Sequence, residues 1–182
     1  MDRAGDLTQG RVVLTGFMGT GKTTVGRLLA ERLGRELIDT DREIEAVHGP
    51  IPEIFGTLGE PGFRRLERKI AEQLADRHDV VVATGGGMMV DPDVAELLAT
   101  PPARVFCLTA SPDSILDRVA GDPSAPERPL LADPDRRRRV EQLLAERQGA
   151  YARYEHVATD GRSPEAVADE ILRRLDRSSR TH

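Results

Sequence analysis

The chain has 182 residues, a length that suits one domain with a sizeable hydrophobic core. Charged residues make up 31% of it, and the net charge of −5 gives no general reason to expect nucleic-acid binding. The single cysteine, Cys107, excludes an internal disulfide and favours a reducing compartment. No apolar segment is long enough to cross a bilayer and the amino terminus lacks a signal-peptide core, so we expect a cytoplasmic protein with no membrane partner.

The first motif is a glycine-rich loop. Residues 16–23 read GFMGTGKT and fit G-x-x-x-x-G-K-[ST], the phosphate-binding loop of nucleoside triphosphatases. Residues 12–14 before it are apolar and predict a buried strand, while apolar residues recur at helical spacing over 25–33. The loop should therefore meet phosphates at a helix N-terminus, where N–H groups and the helix dipole favour an anion. In this pattern Lys22 reaches the β- and γ-phosphates, and the Thr23 hydroxyl binds Mg²⁺.

Two carboxylates follow the next predicted strand. Residues 36–39 read as a short strand that leads into Asp39-Thr40-Asp41. In an open parallel sheet, ligands bind outside the carboxyl ends of the strands, so both acids should point into the phosphate crevice. One can help to hold Mg²⁺, and the other can orient a substrate hydroxyl or accept its proton. The alternative, compatible with this function, is that Thr40 or Asp41 caps the following helix.

The middle of the chain predicts a helical region outside the sheet. The Gly- and Pro-rich stretch 49–62 indicates a short helix with loops, and Phe63 opens a long amphipathic helix. Arg64 and Arg65 stand near its start, where the helix dipole disfavours cations. Binding of an acidic ligand and an ordinary surface position both remain open for these arginines.

Three more strands are predicted, at 79–83, 104–108 and 156–159. The first runs into Gly85, Gly86 and Gly87, which indicate either a ligand-facing loop or a flexible turn. The long loop at 121–134 contains an arginine that could close over a triphosphate. Because strands alternate with helices throughout, we predict an α/β fold, a three-layer sandwich around a five-stranded parallel sheet.

The ordered set of motifs resembles the shikimate kinase family. They are GFMGTGKTTVGRLLA at 16–30, DTD at 39–41, FRRLE at 63–67, GGG at 85–87, RPLL at 128–131 and RxxxY at 147–151. The resemblance extends from about residue 12 to 175 and implies a P-loop nucleoside monophosphate kinase-like fold. It implies one kinase domain over 1–182, with a substrate-binding subregion at about 40–70 and a lid at about 121–135. The implied reaction is ATP-dependent phosphorylation of the 3-hydroxyl of shikimate, in the chorismate pathway.

The resemblance also implies roles for individual residues. The catalytic residues would be Lys22, Asp41 and Arg128, of which Arg128 would reach ATP from the lid. The ATP site would comprise Met18, Gly19, Thr20, Gly21, Lys22, Thr23, Thr24, Arg118, Arg128 and Arg162. The substrate site would comprise Asp41, Arg64, Gly85, Gly86, Gly87 and Arg147, with the two arginines on the shikimate carboxylate and the glycine amides facing the substrate. Thr23 and Asp39 would hold Mg²⁺. The expected partners are ATP and shikimate, and we expect a monomer.

Some positions depart from the family's pattern. Pro50 and Pro52 stand where the family more often has a helical start, and Gly62 stands where a larger residue is usual. All three fall in the substrate-binding subregion and could loosen it. Two alternative functions stay open: a related kinase, such as a gluconate kinase or a nucleoside monophosphate kinase, and an ATP-binding regulator without transfer activity.

Overall fold

The structure is a computed structural model, and it describes residues 10–121 and 135–179. Its centre is a five-stranded sheet in the order β2-β3-β1-β4-β5, in which all neighbouring strands are parallel. The strands are β1 (Val12–Thr15), β2 (Glu36–Asp39), β3 (Val80–Ala83), β4 (Arg104–Thr109) and β5 (Glu155–Ala158). The predicted α/β sheet is therefore confirmed. Asp79, predicted as the first residue of β3, has φ 54 and lies outside the strand.

Helices cover both faces of the sheet. They are α1 (Lys22–Leu33), α2 (Thr40–His48), α3 (Ile51–Leu74), α4 (Pro92–Ala99), α5 (Pro112–Ala120), α6 (Arg136–Tyr151) and α7 (Pro164–Ser179). Helices α1 and α7 pack on one face, and α3 and α4 pack on the other. This arrangement is the three-layer sandwich expected from the sequence. No helix among residues 10–121 and 135–179 combines the length and the apolar character that a membrane span needs.

Strand register brings the three main motifs to one edge of the sheet. Ala83 at the end of β3 pairs with Leu14 of β1 on one side and with Asp39 of β2 on the other. The phosphate loop, the DTD segment and the GGG loop therefore all leave the sheet at neighbouring carboxyl ends. This edge is where ligands bind in open α/β sheets.

The prediction of a short helix with loops over 49–62 was right about the short helix and wrong about the loops. A helical segment begins at Ile51 and is interrupted at Gly59, which takes the non-helical angles φ 64 and ψ 179, and a second segment follows directly; the two together form α3. Pro50 is the N-cap and Pro52 lies in the first turn, where a missing N–H costs no hydrogen bond. The prolines therefore start this helix. At Gly62 a β-carbon would lie 2.3 Å from Cβ of Leu58, so the break leaves no room for a larger residue.

Candidate active site

The phosphate loop is shaped by its glycines. Gly16 has φ 126, and a β-carbon there would lie 2.2 Å from the carbonyl oxygen of Leu108 on β4. Gly21 has φ 91 and forms the N-cap of α1, so the first amides of this helix follow the loop directly. Phe17 and Met18 fix the loop to the protein interior, where they pack in an apolar cluster with residues of α5 and α6. The loop is thus a rigid cradle open toward the carboxyl edge of the sheet.

Lys22 is held across this cradle. Its Nζ donates hydrogen bonds of 2.9 Å to the carbonyl oxygens of Gly16 and Phe17. The Thr20 hydroxyl donates to the same Phe17 carbonyl at 2.8 Å. The ammonium therefore lies within the loop, beside the position that a phosphate chain would take.

Thr23 and Asp39 form the pair of oxygen donors that the sequence predicts for Mg²⁺. The Thr23 hydroxyl donates to Oδ2 of Asp39 at 2.6 Å. Within residues 10–121 and 135–179 no group of three or more His, Cys, Asp or Glu side chains could hold a metal. Mg²⁺ is typically bound by one or two carboxylates together with substrate phosphates and water, and this pair fits that pattern.

The caps proposed for α2 need correction. The N-cap is Asp39, whose Oδ1 accepts a hydrogen bond from the Arg42 amide at 3.4 Å, whereas Thr40 or Asp41 was expected. Thr40 is buried, and its hydroxyl accepts a hydrogen bond of 2.9 Å from the Gly85 amide. Asp41 is left to line the cleft.

Each glycine of the GGG loop lies beside one predicted acceptor-site residue. A β-carbon on Gly85 would lie 2.6 Å from Oδ1 of Asp41, and one on Gly87 would lie 2.7 Å from Nη1 of Arg64. The carbonyl of Gly86 accepts a hydrogen bond of 3.0 Å from Nη1 of Arg147. Gly85 and Gly87 therefore leave the space that the Asp41 and Arg64 side chains occupy, and Gly86 holds Arg147 through its carbonyl.

The expectation that all three glycine amides face the substrate was wrong for Gly85. Its amide donates to the Thr40 hydroxyl within the protein, as described above. Since the Asp41 carboxylate occupies the space beside its α-carbon, Gly85 contributes the absence of a side chain. The hydrogen bond to Thr40 also ties the GGG loop to the DTD segment.

Glu67 is a residue of this site that the sequence reasoning missed. Its side chain is 2% exposed, and Oε2 accepts a hydrogen bond of 2.6 Å from Nη1 of Arg64. Burial raises the pKa of Glu67 to about 7, although the charge of Arg64 acts in the opposite direction and Asp41 adds to the increase. The exposed Glu60 binds the other side of Arg64 at 2.9 Å. The sequence did contain an indication of this role. Glu67 is the last residue of the FRRLE motif and lies one helical turn after Arg64, where the two side chains can pair.

One cleft of about 410 Å³ is lined by nucleotide-site residues and by two of the predicted acceptor-site residues, Asp41 and Gly86, whereas Arg64, Gly85, Gly87 and Arg147 do not line it. Its lining includes every ATP-site residue predicted among the described residues, namely Met18, Gly19, Thr20, Gly21, Lys22, Thr23, Thr24, Arg118 and Arg162. Asp39, Asp41 and Gly86 line it as well. Arg128, and residues 122–134 of the predicted lid, lie outside the described residues.

Arg118 and Arg162 line this cleft and donate hydrogen bonds to backbone carbonyl oxygens around it. Arg118 donates from Nη1 to the Gly19 carbonyl at 3.2 Å and from Nη2 to the Thr159 carbonyl at 2.8 Å. Arg162 donates to the carbonyls of Ala158 and Ala166 at 3.0 and 2.9 Å and pairs with Glu170. Arg118 therefore joins the phosphate loop to the turn after β5, and Arg162 joins that turn to α7.

Comparison with known proteins agrees with this geometry. A family model described as shikimate kinase matches residues 18–176. The shikimate kinase of Symbiobacterium thermophilum is 44% identical over 167 residues, which cover 90% of this chain and 95% of the relative. A shikimate kinase from Acinetobacter baumannii, solved in complex with shikimate, is 35% identical with a TM-score of 0.86, and the match covers 93% of this chain and 94% of that one.

A second class of kinase shares only the fold. A gluconokinase from Sinorhizobium meliloti has a TM-score of 0.65 at 20% identity, and the match covers 94% of each chain. Identity this low carries no information about the acceptor. The family match covers most of the chain, and it coincides with the ordered motifs and with the cleft that they build. The chain belongs to the shikimate kinase family.

Proposed function

We propose that the chain is a shikimate kinase, which transfers the γ-phosphate of ATP to the 3-hydroxyl of shikimate and yields shikimate 3-phosphate and ADP. This reaction belongs to the biosynthesis of chorismate and the aromatic amino acids. The observation that carries the proposal is that Asp41 and Gly86 line the same cleft as Lys22 and Thr23. A phosphate donor and a small acceptor can therefore meet in one space.

The acceptor side matches the chemistry of shikimate, a small carboxylate that bears several hydroxyls. Arg64 and Arg147 would bind the carboxylate through charge-assisted hydrogen bonds, which are about twice as strong as neutral ones. Asp41 would accept a hydrogen bond from the reacting hydroxyl and take its proton as general base. Gly85 and Gly87 would allow Asp41 and Arg64 to lie close to the backbone beside the substrate.

The nucleotide side supplies positioning and positive charge. The loop amides and Lys22 would hold the phosphates of ATP, and Arg118 and Arg162 would border the nucleoside end. Thr23 and Asp39 would hold Mg²⁺, which neutralises phosphate charge when it is bound. Arg128 and a lid at about 121–135 would add positive charge and exclude water. We also propose that this single kinase domain works as a monomer.

The test is a coupled assay with ATP, Mg²⁺ and shikimate, together with an acceptor screen that includes gluconate and nucleoside monophosphates. We expect ADP release that depends on shikimate. Turnover of another acceptor in place of shikimate would favour the related-kinase alternative. ATP binding with no acceptor turned over would favour a regulator.

Variants test the assigned residues. Asp41→Asn should lower kcat/KM at least about 100-fold, because it removes the general base. Arg64→Ala should lower kcat/KM for shikimate about 30-fold or more, because it removes a partly buried positive charge that would pair with the substrate carboxylate. Arg65→Ala is the matched control, since this neighbouring arginine is exposed. Wild-type kcat/KM in both Asp41→Asn and Arg64→Ala would refute the assignment.

A further inference from the structure

Helix α6 reaches the GGG loop through two side chains one turn apart. Nη1 of Arg147 and the hydroxyl of Tyr151 both donate a hydrogen bond to the carbonyl oxygen of Gly86. Residues four apart on a helix share one face, so both donors approach this oxygen from the same helix. The two residues are also nearly inaccessible to solvent, with Arg147 6% and Tyr151 5% exposed.

The hydroxyl of Tyr151 stays protonated at neutral pH and can therefore donate a hydrogen bond. Burial raises the pKa of Tyr151 to about 12, and the positive charge of Arg147 opposes that increase only in part. The phenol therefore keeps its proton and donates a hydrogen bond to the Gly86 carbonyl. A carbonyl oxygen has two lone pairs, and here each one has a donor.

Gly86 is also packed against the phosphate loop. A β-carbon on Gly86 would lie 3.1 Å from the Met18 amide nitrogen and 3.7 Å from Nη1 of Arg147. The guanidinium of Arg147 lies 5.2 Å from the ring centroid of Phe17 in the same loop. The position of the Gly86 carbonyl thus affects both Arg147 and the loop beneath it.

We propose that Tyr151 is a positioning residue for the acceptor site, whose hydroxyl fixes the Gly86 carbonyl and so orients the Arg147 guanidinium toward the carboxylate of the acceptor. This inference rests on the proposed function, because the acceptor carboxylate is that of shikimate. Without the hydroxyl, Arg147 alone holds the Gly86 carbonyl, and its guanidinium loses a fixed neighbour. The cost falls on carboxylate binding, because the ring of the tyrosine still fills its place in the core.

The test removes one oxygen atom. Tyr151→Phe should raise the Kd and KM for shikimate about fivefold to tenfold, as expected for one hydrogen bond in a charged network, and leave the KM for ATP within about twofold. A shikimate analogue that lacks the carboxylate should bind the wild type and Tyr151→Phe equally. The matched control is Tyr154→Phe, which removes the hydroxyl of the chain's other tyrosine, and neither KM should change.

The outcomes separate the two proposals. If wild-type protein does not bind shikimate, the proposed function fails. If the wild type binds shikimate and Tyr151→Phe binds it equally well, this inference is overturned. It is also overturned if Tyr151→Phe weakens ATP and the carboxylate-free analogue as much as shikimate, since that result indicates a general structural role.

A second measurement covers the case in which Tyr151→Phe does not fold. In the Tyr154→Phe background, fluorotyrosine incorporation labels Tyr151 alone. Its ¹⁹F resonance should shift when shikimate binds and stay in place with the carboxylate-free analogue. An unchanged resonance at saturating shikimate would contradict the role of Tyr151.

Discussion

Asp41 and Glu67 direct carboxylate oxygens at the same side of Gly85. Oδ1 of Asp41 and Oε1 of Glu67 would lie 2.6 and 2.7 Å from a β-carbon at that glycine. Glu67 is buried and its pKa is raised to about 7, first by burial and in part by the charge of Asp41. Two neighbouring carboxylates resist carrying full charge together, so the charge of Asp41 adds to the effect of burial on the pKa of Glu67.

Gly85→Ala should disable the acceptor site. The added methyl group would meet both carboxylate oxygens at distances that real β-carbons do not show, so Asp41 or Glu67 must move. We expect a loss of at least about tenfold in kcat/KM for shikimate, with ATP affinity within about twofold, because misplaced catalytic groups are costly. Steady-state kinetics and ATP titration measure the two effects.

Gly149→Ala is the control for this variant. A β-carbon there has nothing within 4 Å, and the residue lies inside α6. This variant should keep full activity. Equal activity of Gly85→Ala and Gly149→Ala would contradict the crowding at Gly85.

Glu67 should make stability depend on pH. Because its folded-state pKa is raised from 4.5 to about 7, its contribution to the free energy of unfolding is fully present below pH 4.5 and is lost as the pH rises through 7. As the pH rises from 4.5 through 7, the free energy of unfolding of the wild type should therefore fall relative to that of Glu67→Gln, by up to roughly 3 kcal/mol. Urea denaturation at a series of pH values measures it.

Glu72→Gln gives the comparison for this pH series, since Glu72 is exposed on the same helix. Its stability difference from wild type should stay nearly constant. A constant difference for Glu67→Gln would argue against the raised pKa.

Asp39→Asn should separate metal binding from folding. Asparagine caps a helix about as well as aspartate, so α2 should keep its N-cap bond from the Arg42 amide. The lost charge should raise the Mg²⁺ concentration for half-maximal activity about 10- to 100-fold. Activity measured against Mg²⁺ at fixed ATP gives the shift, and thermal unfolding verifies the fold.

Asp91→Asn is the matched control, because Asp91 caps α4 in the same manner through the Asp93 amide. It should leave the Mg²⁺ dependence unchanged. If Asp39→Asn does the same, Asp39 has no part in holding the metal.

Gly62→Ala should destabilise the protein, because the added methyl group would clash with Leu58 across the interruption of α3 at Gly59. Its β-carbon would lie 2.3 Å from Cβ of Leu58, and relieving such overpacking costs about 1–3 kcal/mol. Gly56→Ala on the same helix meets nothing within 4 Å and should be neutral or stabilising, by up to about 1 kcal/mol. Chemical denaturation compares the two. A shift of the same sign and size in both would contradict the contact with Leu58.

Features governed by neighbours in the chain could be predicted from the sequence. The phosphate loop was identified from a local pattern, and the structure has it, with Gly21 as the N-cap of the helix that follows. The alternation of strands and helices also predicts the parallel sheet, because each crossover between parallel strands requires such a helix. These signals act over a few residues, so a sequence displays them directly.

The acceptor end of the cleft depends on contacts that local patterns do not contain. The Gly85 amide donates to Thr40, 45 residues earlier, and the Gly86 carbonyl accepts from Tyr151, 65 residues later. Glu67 becomes a site residue only because burial and Arg64 act on it together. The sequence by itself determined the fold class, the phosphate loop and the set of charged residues. Only the tertiary structure decided which of them share a cleft and which backbone groups they hold, because burial and close approach arise when distant segments pack.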